Sequence, residues 1–166
     1  MPEQGGWLDD PRSFKAWEVV QELNIPVCVQ MHMAGMSQLH TLLKNFPRAT
    51  IILDHLASPD ARDGAPYKAA QPLFDLASNR NIYLKVTIRN IRMIAEGGGP
   101  FEPYFRKVVD VYGADRIAWG SNFPTSDVSL KTIVDESKAA FAFLTQEERD
   151  HIFYRTAEKL YPTMKR

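Results

Sequence analysis

Arg116-Ile117-Ala118-Trp119-Gly120-Ser121-Asn122-Phe123-Pro124 is a short apolar run that stops abruptly in small and polar residues. Its apolar part has the length of a strand. Trp119, Gly120 and Ser121 carry the backbone into a tight exit, and Asn122 falls where a strand delivers a side chain to a pocket. Phe123-Pro124 ends the run, because proline offers no N–H to a ladder. Two earlier runs end in the same manner. Residues 25–32 are nearly all apolar and finish on His32, and residues 50–55 begin β-branched and finish on His55. Three polar side chains at three strand ends are the raw material of a site on the C-terminal rim of a parallel sheet.

Helical segments separate these runs. Asp10-Pro11 is a cap followed by proline, and Phe14, Trp17, Val20 and Leu23 recur at helical spacing up to Asn24. Ser37 is placed to cap a helix that buries Leu39, Leu42, Leu43 and Phe46. A further helix runs from about Pro72 to Asn79, and residues 82–87 form a third strand. Residues 88–100 hold three consecutive glycines and no clean period, which predicts a loop with one helical turn at most. Pro103 opens a helix that Gly113 closes, and residues 130–144 are helical. Thr145-Gln146-Glu147-Glu148 is a capping box at the head of a last helix reaching Leu160.

The alternation predicts an α/β fold with four parallel strands, near 25–31, 50–55, 82–87 and 116–121, in sequential order with helices outside. The near-continuous apolar character of the runs fits strands covered on both faces. The 166 residues suit one domain, 1–166.

Twenty basic and twenty acidic residues cancel, so no basic face is available for nucleic acid or an anionic membrane. Residues 1–10 have neither a basic start nor an apolar run, and no stretch is long and apolar enough to span a bilayer. The expected location is the cytoplasm. The one cysteine, Cys28, lies in an apolar run and reads as a small buried hydrophobe.

His32 and His55, ending neighbouring strands, suit either zinc ligation or general-base work. Lys85, in mid-strand, must face a polar cavity or a partner, and is a candidate to touch an anionic substrate together with Ser121. Asp54 is expected on the face opposite His55 by strand alternation and reads as structural. His40 and His151 read as solvated.

The runs 25–32 and 51–55, the run Tyr83-Leu84-Lys85 and above all residues 116–124 resemble the amidohydrolase-2 family. These are TIM barrels that include lactonases and metal-dependent decarboxylases. The resemblance covers nearly the whole chain in order and implies a parallel (βα)4 unit, the C-terminal half of an eight-stranded barrel. It implies that His32 matches the histidine ending the family's fifth strand and His55 the one ending its sixth. Asn122 takes the place of the aspartate in a Gly-Ser-Asp-aromatic-Pro signature. That aspartate serves as proton shuttle or metal ligand, and an amide cannot accept the proton. By the resemblance, His32 and His55 would hold a divalent metal (zinc or manganese), His55 and Asn122 would be catalytic, and the substrate would be a small carbonyl compound. The His-x-His pair of the family's first strand has no counterpart here, so weak metal binding and weak hydrolysis are expected of this chain alone.

Half a barrel leaves its inner face open. Val27, Val29, Ile52, Leu84, Val86, Ile117 and Trp119 are the strand residues of which some must face the absent half. The expected remedy is pairing, as a two-fold homodimer or with an N-terminal half-barrel; rearrangement of the terminal helix over the open face is the alternative.

Overall fold

The computed structural model describes residues 7–164, so residues 1–6, most of the stretch read as lacking a leader, lie outside it. Four strands, β1 (Val27–Gln30), β2 (Ile51–Asp54), β3 (Ile82–Thr87) and β4 (Ile117–Gly120), form one parallel sheet in the order β1-β2-β3-β4. This is the sequential parallel sheet expected from the alternation. Each strand is shorter than its apolar run or equal to it. Ile25, for example, precedes β1 and is exposed.

Helix α1 (Phe14–Leu23) follows a 3₁₀ turn whose cap is Asp10, and it stops at Asn24, which adopts the left-handed conformation of a C-terminal cap. Only Trp17 of α1 is fully buried, and Leu23, expected on the buried face, is exposed. Helix α2 (Met36–Asn45) starts one residue before the expected cap Ser37 and buries Leu39, Leu42 and Leu43. Helix α3 (Gln71–Asp75) tightens into a 3₁₀ turn over Leu76–Ser78.

The largest departure comes after β3. Residues expected as a loop form α4 (Ile88–Glu96), headed by a reciprocal capping box between Thr87 and Asn90. Ile88, Ile91 and Ile94 recur every three residues and are buried, so the helix is amphipathic after all. Asparagine stands here where a capping box usually has Glu or Gln, so the sequence carries no ordinary helix-start signal.

Helix α5 (Phe101–Tyr112) carries Pro103 in its first turn, where a missing N–H costs little. Helix α6 (Leu130–Ala140) ends four residues before the expected Leu144. The last helix keeps its Thr145–Glu148 capping box but comprises α7 (Gln146–Asp150), a π-helical turn (His151–Arg155) and α8 (Thr156–Leu160). The π turn presses Phe153 onto Trp119, with ring centroids 5.7 Å apart.

The main core lies between the sheet and the helices. Val29, Ile51, Leu53, Ile82, Leu84, Val86 and Ile117 point into it. At the base of β4, the buried Arg116 guanidinium donates to the carbonyls of Tyr112 (2.7 Å), Ala77 (3.0 Å) and Asn79 (3.1 Å). A cation thereby ties α5 and the α3–β3 connection to the strand.

The opposite, inner face is assigned by register. Cys28, Ile52 and Tyr83 align in one row, then Gln30, Asp54, Lys85 and Ala118, then Thr87 and Gly120. Of the seven apolar residues considered above, only Ile52 faces inward, so the open face is far less apolar than expected. Cys28 is also inward and exposed, not buried. Ile52 (2% exposed) and Tyr83 (8%) are covered by Leu160 (7%), which closes a small second cluster. Lys159 places its ammonium 5.3 Å from the Tyr83 ring centre. The end of α8 therefore lies over the lower part of the inner face. Leu160 and Lys159 thus give part of the inner face a cover from the chain's own last helix. Among the described residues no helix is long and apolar enough to cross a membrane.

Candidate functional site

The upper rim begins where β2 ends. Asp54 is the last residue of the strand, and His55, Leu56, Ala57 and Ser58 follow with φ of 52°, 54°, 56° and 53°. Four consecutive non-glycine residues in the left-handed region are costly, at roughly 1–2 kcal/mol each. Here the turn is closed by Ser58 N–H donating to His55 O at 2.8 Å, while Leu56 and Ala57 are wholly buried. Backbone strain of this kind persists where the surroundings over-determine it, and it clusters at functional sites.

The left-handed turn corrects the expectation for Asp54. Alternation separates neighbouring side chains only while a strand continues, and this strand stops at Asp54. Both side chains therefore serve the same rim. Asp54 accepts from His55 N–H (3.1 Å), lies 3.0 Å from Lys85 Nζ, and has its second oxygen 3.7 Å from His55 Nε2.

The His55 ring is buried. Its Nδ1 lies 2.8 Å from Thr87 Oγ1, and Asn90 Nδ2 donates to the His55 carbonyl at 2.8 Å. Burial holds the imidazole below its ordinary pKa; the Asp54 charge opposes this, and the Arg89 and Lys85 charges reinforce it. Neutral imidazole is the form that can ligate a metal or accept a proton. For Lys85, burial works against the charged form, but the hydrogen bond and charge of Asp54 outweigh it and leave the ammonium's pKa raised. Gly120 makes room for this side chain, since a Cβ there would sit 2.8 Å from Lys85 Cε.

Two cavities open on the rim. The larger, about 790 Å³, is bordered by Asp54, His55, Arg89, Arg92 and Asn122. Asn122 lies two residues beyond β4 with φ of 57°. Arg92 is fixed by a two-pronged ion pair to Glu136 (2.8 and 2.6 Å) and by Ser126 Oγ at 3.1 Å, which anchors the loop carrying Asn122. Arg89 is exposed, borders both cavities, and has no ion-pair partner among the described residues.

The smaller cavity, about 470 Å³, is bordered by Gln30, Met31, His32, Ser58 and Arg89. His32 is exposed there. The structure thus brings His55, Asn122 and the Lys85–Asp54 pair together, and places His32 in the neighbouring cavity. Ser121 borders neither; its Oγ accepts from Phe123 N–H at 3.2 Å. His40 is exposed as expected, whereas His151 is half-buried in the π turn.

Among the described residues no three His, Cys, Asp or Glu side chains are grouped so as to hold a metal ion. With His32 and His55 divided between two cavities, the donors present do not fit the three protein ligands that a catalytic zinc ordinarily takes.

The sequence reading missed Arg89, Thr87 and Asn90. All three flank the start of α4, and the T-x-x-N spacing was the available signal.

Comparison with known proteins places these features. The sequence profile of a family described as Amidohydrolase matches residues 1–163. The L-fucono-1,5-lactonase of Burkholderia ambifaria is 27% identical over 126 residues, which is 72% of this chain and 42% of that protein. A zinc-bound amidohydrolase from Burkholderia multivorans superposes with a TM-score of 0.77 at 17% identity, over 97% of this chain and 61% of its own. A Pseudomonas putida protein assigned as a 2-pyrone-4,6-dicarboxylic acid hydrolase gives 0.75 at 22% identity, over 100% and 60%. The chain spans less than two thirds of the length of each, and its parallel sheet corresponds to half of their TIM barrel.

Proposed function

The chain belongs to the amidohydrolase family, and from that premise we propose that its rim cavity serves hydrolysis of a small carbonyl compound, a lactone or a related carboxylate-bearing substrate. The observation that carries the reading is the buried, neutral-leaning His55 held by a strained turn at the edge of a 790 Å³ cavity. The lactonase relative supports the choice of carbonyl compound.

In this reading His55 accepts a proton from water as the water attacks the carbonyl carbon, and returns it to the ring oxygen as the acyl C–O bond breaks. The Asn122 amide donates to the oxygen that gains charge, and it orients the water without taking its proton. Arg89, which has no ion-pair partner among the described residues, holds a substrate carboxylate. Lys85 keeps Asp54 beside the imidazole and sets the field of the site, and Ser121 shapes the turn that presents Asn122. No step is assigned to a metal, because the donors present do not form a site for one. We expect the isolated chain to purify with well under one equivalent of zinc or manganese. Elemental analysis finding a full equivalent, lost in His32→Ala or His55→Ala, would contradict this.

The free side of β1 is the place for a further element, a second copy of the chain or an N-terminal half-barrel, and we expect activity to be low without it. A cytoplasmic setting fits a chain with a single cysteine.

The test is base-consumption titration of a panel of 1,5-lactones. Slow turnover that falls by a factor of about 10²–10⁴ in His55→Ala supports general-base work, and equal rates in both proteins refute it. Asn122, which cannot take a proton, favours a second reading, a non-catalytic binding module. That reading predicts lactone binding with no turnover in either protein.

A further inference from the structure

Three polar groups around the imidazole fix where its proton sits. Asn90 Nδ2 donates to the His55 carbonyl at 2.8 Å. A carbonyl only accepts, so the orientation of the Asn90 amide is determined and its oxygen must face Thr87. That oxygen lies 3.0 Å from Thr87 N and 3.2 Å from Thr87 Oγ1. A hydroxyl has one proton, and two oxygens at this separation without a proton between them would repel. The Thr87 hydroxyl therefore donates to Asn90 Oδ1. Nothing remains for it to donate to His55 Nδ1, 2.8 Å away on its other side. The ring nitrogen must be the donor there. A neutral imidazole carries one N–H, so Nε2 is bare.

We propose that Thr87 and Asn90 are positioning residues that hold His55 as its Nδ1–H tautomer, leaving the Nε2 lone pair available at the cavity. This deepens the reading of His55 as the reacting group and rests on it for its functional meaning, though the tautomer itself stands apart from activity.

The groups that oppose the assignment are few. Asp54 Oδ2 lies 3.7 Å from Nε2 and would favour a proton there, but this is beyond hydrogen-bond reach, and Lys85 at 3.0 Å compensates the carboxylate charge. Water does not compete for the hydroxyl or the amide, since Thr87 is 0% and Asn90 1% exposed. Buried polar networks are stable only when their members are satisfied, and this pattern of donors satisfies all of them except Nε2, which is left for a group in the cavity.

The same asparagine also clamps the backbone. Its bond to the His55 carbonyl holds the first residue of the left-handed run, so ring orientation and turn geometry share one side chain. Asn90 can do this because it occupies the third position of α4 at the head of a capping box with Thr87. The box caps the helix and supports the imidazole at once.

The test is nitrogen NMR of histidine-labelled protein at about pH 8, where imidazoles are neutral. Wild type is expected to show a protonated, pyrrole-type Nδ1 and a bare, pyridine-type Nε2 for His55. Thr87→Ser keeps the hydroxyl and should keep that pattern. Thr87→Val removes the acceptor, and the two nitrogen signals should exchange character. A wild-type spectrum with the proton on Nε2, or a folded Thr87→Val with the wild-type pattern, overturns the proposal. If Thr87→Val does not fold, the wild-type and Thr87→Ser spectra still decide it. Lactone turnover indifferent to His55, in a protein showing the Nδ1–H tautomer, would refute the catalytic reading and leave this assignment standing.

Discussion

Replacing Leu160 by alanine tests how the chain covers its open face. Leu160 is 7% exposed and is the one residue that closes the cluster over Ile52 and Tyr83 on the inner side of the sheet. The substitution removes three carbons. At about 0.8 kcal/mol per buried methylene the transfer loss alone is roughly 2.4 kcal/mol. A cavity contribution would normally raise this within the roughly 2–5 kcal/mol range of core Leu→Ala changes. The cluster lies at the end of the last helix, however, where neighbours can close the gap. A loss of about 2–3 kcal/mol is therefore expected. Against a total stability of about 5–15 kcal/mol this is a large fraction, and it should lower Tm by about 4–12 °C. Urea unfolding of wild type and variant reads it directly as a drop in midpoint at constant slope. The uncovered Ile52 and Tyr83 should also increase self-association, measured by light scattering. A change within about 0.5 kcal/mol, the ordinary range for surface substitutions, would show that α8 does not rest on this face in solution.

Arg116→Met leaves the carbonyls of Tyr112 and Ala77 without their donor, while Asn79 O keeps the N–H of Ile82. With about 1–3 kcal/mol for each buried group left unpaired, a loss near 3 kcal/mol is expected in urea unfolding, and a loss below about 1 kcal/mol would refute the tie between β4 and its neighbours. Glu148 supplies a pH-dependent term. The hydrogen bond from Arg106, aided by Thr145, holds its carboxyl at about 2 instead of 4.5. A lowered folded pKa means stability that is complete above pH 4.5 and is lost as pH falls toward 2. The stability gap between wild type and Glu148→Gln should therefore be widest at neutral pH and shrink through that window; a gap independent of pH would count against the ion pair.

The parts of this molecule legible in its sequence are those set by local chemistry. Parallel order and strand positions follow from apolar runs such as residues 50–55 alternating with helical periods, and the Thr145–Glu148 box and the Asn24 and Gly113 ends follow from capping rules. The inner face was harder. Apolar content alone cannot say which residues of a strand face the helices, and here Ile52 alone of seven points inward while Leu160, over a hundred residues later, covers it. The site was half legible. His55 and Asn122 could be placed at strand ends, but Asp54 was assigned to the wrong side because no local signal announces four left-handed residues without a glycine. His32 and His55 looked like a pair by sequence symmetry, whereas side-chain exposure and cavity shape, which depend on packing, place them in adjacent cavities.

The cavity between Asp54, His55, Arg89 and Asn122 is proposed to receive a small carboxylate-bearing carbonyl compound. Backbone amide NMR during titration with an aldonate, the ring-opened product of a sugar lactone, tests it without requiring turnover. Saturable shifts are expected at His55, Arg89 and Asn122 at ligand concentrations up to about 1 mM, the upper end of ordinary KM values, and are expected to vanish in Arg89→Ala. Shifts confined to residues away from this rim, or none at that concentration, would contradict it.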